Sequence, residues 1–296
     1  YTLSLHYALP IWEIKRRIAS ISSTQQITKA MEMVAAAKLR KVQDKVTGTR
    51  PYYDRLARSL GVVLAAAERT GLELPAAAQA RRGERHCLIV LSSDRGLAGG
   101  YNASILRRTE SFLAEHPQTE MVLVGRKARD YFRRRNRTAL AEFVGLGDEP
   151  QAKQAANIGG VVLDFYLHGM FDHVTVLYTQ FVSTMTQRVT LRPVLPVPRR
   201  EVEQSGPEPV YLFEPSVQAV LEGLIPLYVN AAVYQSLIEA KASEMAARMN
   251  AMGQATDNAE ELITELNKTY HRMRQAQITK EIAEIVGGAD ALQAQN

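Results

Sequence analysis

Residues 216–286 read SVQAVLEGLIPLYVNAAVYQSLIEAKASEMAARMNAMGQATDNAEELITELNKTYHRMRQAQITKEIAEIV. From Leu227 to Val286 this stretch holds one Gly and no Pro. The reading is one continuous helix, a rod of roughly 90 Å at ~1.5 Å per residue. Pro226, ahead of it, is expected to kink the helix or to end a first short one. The last turns, RMRQAQITKEIAEIVGG at 272–288, are polar around most of their surface and stop at Gly287-Gly288. A helix of this length cannot bury itself in a domain of ordinary size. It needs a partner.

The other end of the chain offers one. EIKRRIASISSTQQITKAMEMVAAAKLRKVQDKV, residues 13–46, contains neither Pro nor Gly. Ile14, Ile18, Ile21, Ile27, Met31 and Val34 recur at helical spacings, with Gln25, Thr28 and Lys38 interrupting the stripe. A stripe this narrow suits a two-helix seam better than the face of a wide core. Thr47-Gly48 and Pro51 suggest a break or bend before YYDRLARSLGVVLAAA resumes the pattern. YTLSLHYALPIW at residues 1–12 has no initiator Met and holds the sole Trp; a short strand is one reading, and a non-native or disordered extension is the one expected.

Between the long helices the pattern changes. HCLIVLSS (86–93), EMVLVG (120–125) and HVTVLYTQF (173–181) are short β-branched runs. NASILRRTESFLAE and IGGVVLDFYLHGM between them are helical. Alternation of this kind predicts an α/β domain with a largely parallel sheet. VTLRPVLPVPRREVEQSGPEP at 189–209 reads as a Pro-rich loop or edge element. The fold class expected is α/β, with a central Rossmann-like domain and an antiparallel coiled coil of the terminal helices. The divisions expected are an extension at 1–12, an N-terminal coiled-coil helix at 13–67, the α/β domain at 68–209 and a C-terminal coiled-coil helix at 210–296. Antiparallel pairing of the ends would make a stalk projecting from a globular body.

Composition narrows the function. Apolar residues make up 46% of the chain, enough for a real core, and the formal charge of +5 is mildly basic. Aromatic residues are 7% and do not alternate with the basic ones, and the long C-terminal helix carries Glu222, Glu239, Glu244, Glu260, Glu261 and Glu265. Both facts argue against a nucleic-acid-binding face. Cys87, the one cysteine, lies in an apolar run and reads as a small buried hydrophobe. No run approaches the ~18 apolar residues of a membrane span, so membrane contact is expected only through partners.

A nucleotide-binding enzyme would need a phosphate loop. SSDRGLAGGYN at 92–102 occupies the right place, between strand and helix, but Gly96, Gly99 and Gly100 match no phosphate-loop spacing and no Lys follows. It reads as a structural turn. His86, His116, His168, His173 and His271 show no metal-ligand spacing and read as structural or solvated. Arg133, Arg134, Arg135 and Arg137 read as a solvated helix end. Met31, Met33, Met245, Met249 and Met252 stripe the two long helices, where they can pack a coiled coil and present a smooth surface to a partner.

QQITKAMEMVAAAKLRK, SSDRGLAGGYN, YLFEPS and RMNAMGQATDNAEELI…RQAQITKEIAEIVGGA, in this order, resemble the gamma-subunit family of the F-type ATP synthases over residues 13–292. The resemblance implies a non-catalytic central rotor shaft without cofactor, whose domain is not known for nucleotide catalysis. The partners implied are the alpha and beta subunits of the catalytic ring, the epsilon subunit and the c-subunit ring. Proton flow would turn the c ring, and the shaft would drive the beta sites through their states. The location implied is the cytoplasmic face of the bacterial inner membrane. By motif, Met31 and Arg248 match residues near acidic beta loops. Arg274, Gln275, Thr279 and Glu281 match a polar cluster engaging the ring. Tyr211 and Glu214 match the foot, where the c ring and epsilon dock. A plastid-type thiol switch is not expected of a chain with one Cys.

Overall fold

The computed structural model describes residues 11–198 and 212–293, with side chains described as far as residue 287. The chain divides into two compact units, one formed by Val34–Asn250 and the other by the residues up to Met33 together with those from Ala251.

The larger unit is built on a five-stranded sheet. In chain order the elements are α1 (Ile11–Arg69), β1 (His86–Leu91), α2 (Tyr101–Glu115), β2 (Thr119–Val124), α3 (Arg126–Arg133), β3 (Ala141–Phe143), α4 (Ala152–Leu167), β4 (His173–Phe181), β5 (Gln187–Leu195) and α5 (Val217–Gln293). The strand order is β3-β2-β1-β4-β5. β1, β2, β3 and β4 are parallel and β5 returns antiparallel beside β4. β1 is central and covered on both faces. Every residue from Cys87 to Leu91 is buried, which is why it reads as an unbroken apolar run. β5 holds Pro193, which cannot donate to a ladder and is tolerated here because the strand is at the edge.

Helices cover both faces. Ile105, Phe112 and Leu113 of α2 and Phe132 of α3 pack with Leu88, Val90, Met121 and Leu123 on one face. On the other, α4 (Ile158, Val162, Tyr166) meets Leu60 and Val63 of α1 and Val229 and Val233 of α5. A Cβ on Gly159 would collide with the Asn230 side chain, so the glycine sets how closely α4 approaches α5. Gly125, between β2 and α3, has φ 92°, and a Cβ there would run into the Ser92 carbonyl.

α5 is enclosed on all sides around residues 235–246. Its buried polar groups there are paired. The Glu239 carboxylate accepts from Gln235 Nε2 (2.8 Å), Tyr178 Oη (3.1 Å) and Arg50 Nη2 (3.3 Å), with Arg192 Nη2 at 3.6 Å. Ser243 Oγ donates to Thr179 O at 2.9 Å. The loop after β3 is pinned by Lys38–Asp148 (2.7 Å), Lys241–Asp148 (3.4 Å) and Lys45–Glu149 (2.8 Å).

Neither long helix breaks where its sequence suggested. α1 runs through Gly48 and Pro51, and α5 through Pro226. Proline leaves the carbonyl four residues earlier without its helical donor. Here those carbonyls belong to Thr47 and Glu222, both at exposed positions where water can serve them. Buried neighbours on each side, Val46 with Tyr53 and Leu221 with Tyr228, hold the helix across the gap.

The smaller unit is a two-helix seam. Thr256 Oγ1 meets Thr28 Oγ1 at 2.8 Å, and Gly253 faces the Glu32 carboxylate. Residue numbers rise along one helix as they fall along the other, so the pair is antiparallel. Thr28 thus sits in the seam it was expected to interrupt, while Ile27, expected in the stripe, is 58% exposed.

α5 also corrects the hydropathy reading. It contains an 18-residue window of mean hydropathy 1.3, apolar enough to cross a bilayer by composition, and a third of that window is buried inside the chain. A soluble core helix meets that test equally well.

Candidate functional site

Among the described residues, the seam leaves the end of α5 uncovered. Carried at its own register, Ile11 reaches about residue 273 of α5. Beyond that point the described residues of α1 offer nothing to set beside it, and every residue from Arg274 to Gly287 is exposed. This surface is not uniformly polar. Ile278, Ile282, Ile285 and Val286 recur at spacings of four, three and one, making an apolar stripe in solvent, with Ile285 72% exposed. Arg274, Gln275, Thr279 and Glu281 flank it. Arg274 and Glu281 lie two turns apart on nearly one face. Thr279 Oγ1 donates to the Gln275 carbonyl at 2.9 Å and Gln277 Nε2 to Glu281 Oε1 at 3.0 Å. These bonds stay within the helix, leaving the Arg274 guanidinium and most of the Glu281 carboxylate for something else.

In the same unit, Met31 is half-buried and Ile27 and Met33 stand out in solvent, Met33 at 59%. Both helices of this unit therefore expose large apolar side chains. The sequence reading named the polar residues of the last turns and passed over their isoleucines, although the spacing of 278, 282 and 285 was there to be counted.

The larger unit holds the other named residues. Arg248 is 8% exposed, with Nη2 2.8 Å from Glu244 and 3.2 Å from the Gly96 carbonyl. It ties the loop at 92–100 to α5. That loop is otherwise held by Ser93 and Asn102, whose side chains bond each other, and by Asp94, which accepts from the backbone N–H groups of Arg126 and Gly145. Leu97 stands at its tip with φ 60° and 62% exposure. Glu214 is exposed just before α5, whose first turn is capped by Ser216 Oγ accepting from Ala219 N–H at 3.2 Å. Tyr211 lies outside the described residues.

The crevice of a doubly wound sheet, where strand order reverses between β1 and β4, is where such folds bind nucleotides. Here α5 fills it. Tyr101 Oη donates to the Ala240 carbonyl at 3.1 Å, beside the Ser243 and Arg248 contacts. A cleft of about 410 Å³ beside Glu239 presents Arg50 and Arg192, but both guanidiniums are turned onto that carboxylate. No cluster of three His, Cys, Asp or Glu side chains suited to a metal occurs among the described residues.

The sequence profile of the ATP synthase family matches residues 11–292. The ATP synthase gamma chain of Heliobacterium modesticaldum is 46% identical over 287 residues, covering 95% of this chain and 98% of that one. That of Desulfitobacterium hafniense is 48% identical over 284 residues, with the same coverage. This chain belongs to the ATP synthase gamma-chain family. Solved structures share the gamma-chain fold. The Tetrahymena thermophila mitochondrial ATP synthase central stalk and c ring contains a chain that matches with a TM-score of 0.60 at 24% identity, covering 77% of this chain and 99% of that one. A chain of the Euglena gracilis mitochondrial ATP synthase rotor matches with a TM-score of 0.62 at 17% identity, covering 90% and 98%.

Proposed function

We propose that this gamma chain is the central rotor shaft of a bacterial F-type ATP synthase. It couples proton-driven rotation of the c ring to ATP synthesis or hydrolysis at the beta subunits. It makes no bond in the reaction itself. Its partners are the alpha and beta subunits, epsilon and the c ring, and it works at the cytoplasmic face of the inner membrane, which it meets only through those partners.

The observation that carries this reading is the uncovered end of α5. Each large apolar side chain fully buried by a partner contributes about 1.5–3 kcal/mol, so the stripe Ile278–Ile282–Ile285–Val286 has enough apolar surface to be held by a surrounding protein. Arg274, Gln275, Thr279 and Glu281, beside that stripe, are placed to make directional contacts with the alpha/beta ring. Met31 makes a further ring contact from α1. Arg248 has little free surface. Its part in meeting an acidic beta loop is to hold the loop at 92–100, with exposed Leu97, in position. Glu214 and Tyr211 are assigned to the foot, toward epsilon and the c ring.

Coupling by such a shaft is differential binding at a distance. Each orientation presents different side chains to a given beta subunit, favours one of its conformations and shifts the populations in sequence as it turns. The affinity that one orientation adds for a closed site is returned as torque when that site's occupancy changes, because coupling is reciprocal.

The test is a chain lacking residues 274–296, assembled with alpha and beta subunits, with rotation followed on single molecules. Torque should fall while the unit Val34–Asn250 stays folded. Full torque, or loss of that unit, would overturn the reading.

A further inference from the structure

Three imidazoles that lie far apart in the sequence meet at the leading end of the sheet. His86 opens β1, His173 opens β4 and is its direct ladder partner, and His116 caps the C-terminus of α2. The His86 ring lies 4.3 Å from the His116 ring and 4.9 Å from that of His173, centroid to centroid. Phe112 closes the cluster, edge-on to His86 at 5.6 Å and tilted against His116 at 4.6 Å. His86 Nδ1 is buried without a hydrogen-bond partner. His173 Nε2 is 3.1 Å from the Gly83 carbonyl.

Few charges are at hand to neutralise an imidazolium here. Glu84 precedes β1 and Asp172 precedes β4, but the Asp172 carboxylate already accepts from Arg85 Nε (3.0 Å) and Nη2 (2.9 Å), and Arg81 lies nearby as well. β2 contributes only Thr119, uncharged, opposite His86. The remaining neighbours, His116 from α2 and His173 from β4, would be cations themselves when protonated.

We propose that His86, His116 and His173 form a proton-sensitive catch: stacked and closed while neutral, it releases the leading ends of β1 and β4 and the last turn of α2 as the medium acidifies. Neutral imidazoles pack at these separations, whereas two or three imidazoliums repel one another in a half-buried site where Asp172 is already paired with Arg85 and Glu84 is the one carboxylate left to offset them. The bonds put at risk are local. They are His86 N–H to Gln118 O (3.0 Å) and the N–H groups of Asp172 and His173 to Arg85 O (2.8 and 3.1 Å). The connection from α1, residues 70–85, is held at the same end by Arg85 and by Arg81, which donates to Phe171 O at 2.7 Å.

Burial first, then the neighbouring His116 and His173, holds His86 below the ordinary histidine value, against the weaker pull of Asp172 and Glu84. The sign follows. The opened end takes up a proton near the ordinary histidine value of 6.5 and the closed end only below it, so the stabilisation is complete above that value and is lost as pH falls through it toward the folded value.

The test is amide exchange of the full chain at about pH 7.5 and about pH 5.5, above the usual carboxylate range, corrected for intrinsic rates. Peptides spanning 84–90, 115–120 and 171–176 should lose protection about tenfold at the lower pH, while the β2 and β5 interiors keep theirs. His116→Gln, at a half-exposed cap, should remove most of that loss. The same loss in His116→Gln as in the wild type, or none in the wild type, overturns the proposal. If the variant fails to fold, the wild-type ring protons decide by nuclear magnetic resonance. Separated titrations with at least one midpoint clearly below the others support the catch, and three coincident ordinary ones refute it.

Discussion

Between Ala232 and Ala246, α5 is enclosed by the sheet, α1 and α4, yet it carries Gln235, Ser236, Glu239, Ser243 and Glu244 inside. Between Arg274 and Gly287 the same helix lies in solvent, yet it carries Ile278, Ile282, Ile285 and Val286. Polar residues are inside and apolar ones outside, the reverse of a simple partition. The buried polar groups are tolerated because each is paired within the chain, as Glu239 is by three donors and the Arg192 guanidinium. The exposed isoleucines have no covering element among the described residues of the chain. Paired polar groups inside and uncovered apolar groups outside set the two stretches of one helix apart.

The largest expected effect tests the first half of that contrast. Glu239→Ala leaves the buried Tyr178 hydroxyl without its acceptor and removes the anion facing Arg50 and Arg192, and should cost about 3–5 kcal/mol in urea unfolding of the larger unit. A loss below about 1 kcal/mol would mean that the network is incidental. Gly125→Ala comes next. Its positive φ and the Ser92 carbonyl in the way of a Cβ should make it cost about 1–3 kcal/mol, read from the same unfolding curves. Thr256→Val removes one hydroxyl from the seam but keeps its shape, and Thr28 can still donate to Gln25 O at 3.0 Å, so a loss near 1 kcal/mol is expected by thermal unfolding. Glu281→Ala and Ile282→Ser should shift the stability of the isolated chain by less than about 0.5 kcal/mol. Assembled with alpha and beta subunits, both should lower single-molecule torque. Equal torque, or a large change in the isolated chain, would erase the distinction between the two stretches of α5.

The sequence showed the strands where burial is two-sided. Cys87–Leu91, Met121–Val124 and much of β4 are runs that nothing but a covered sheet explains. It showed less where structure depends on distant residues. β3 is three residues long and paired only with β2, too short to carry a period. The seam of α1 runs through Thr28 because the residue facing it is Thr256, and a hydroxyl pair across two helices leaves no mark in either helix alone. Pro51 and Pro226 looked like breaks because propensity is local, whereas the contacts that carry each helix past its proline come from other elements. The histidine cluster was invisible for the same reason: parallel pairing brings residues 86 and 173 side by side, and α2 delivers residue 116.

Cys87 has a practical consequence. It is the sole thiol of the chain, it lies fully buried in the central strand, and burial pushes its pKa up to about 12. At neutral pH the buried thiol stays protonated, and the reactive thiolate is suppressed. A maleimide or an iodoacetamide should therefore pass the native protein by. Ile285→Cys would place a second thiol in open solvent, so a fluorophore or bead could be attached at the end of α5 in one step. The native cysteine need not be removed first, and the wild-type chain, which should take up no label, serves as the blank.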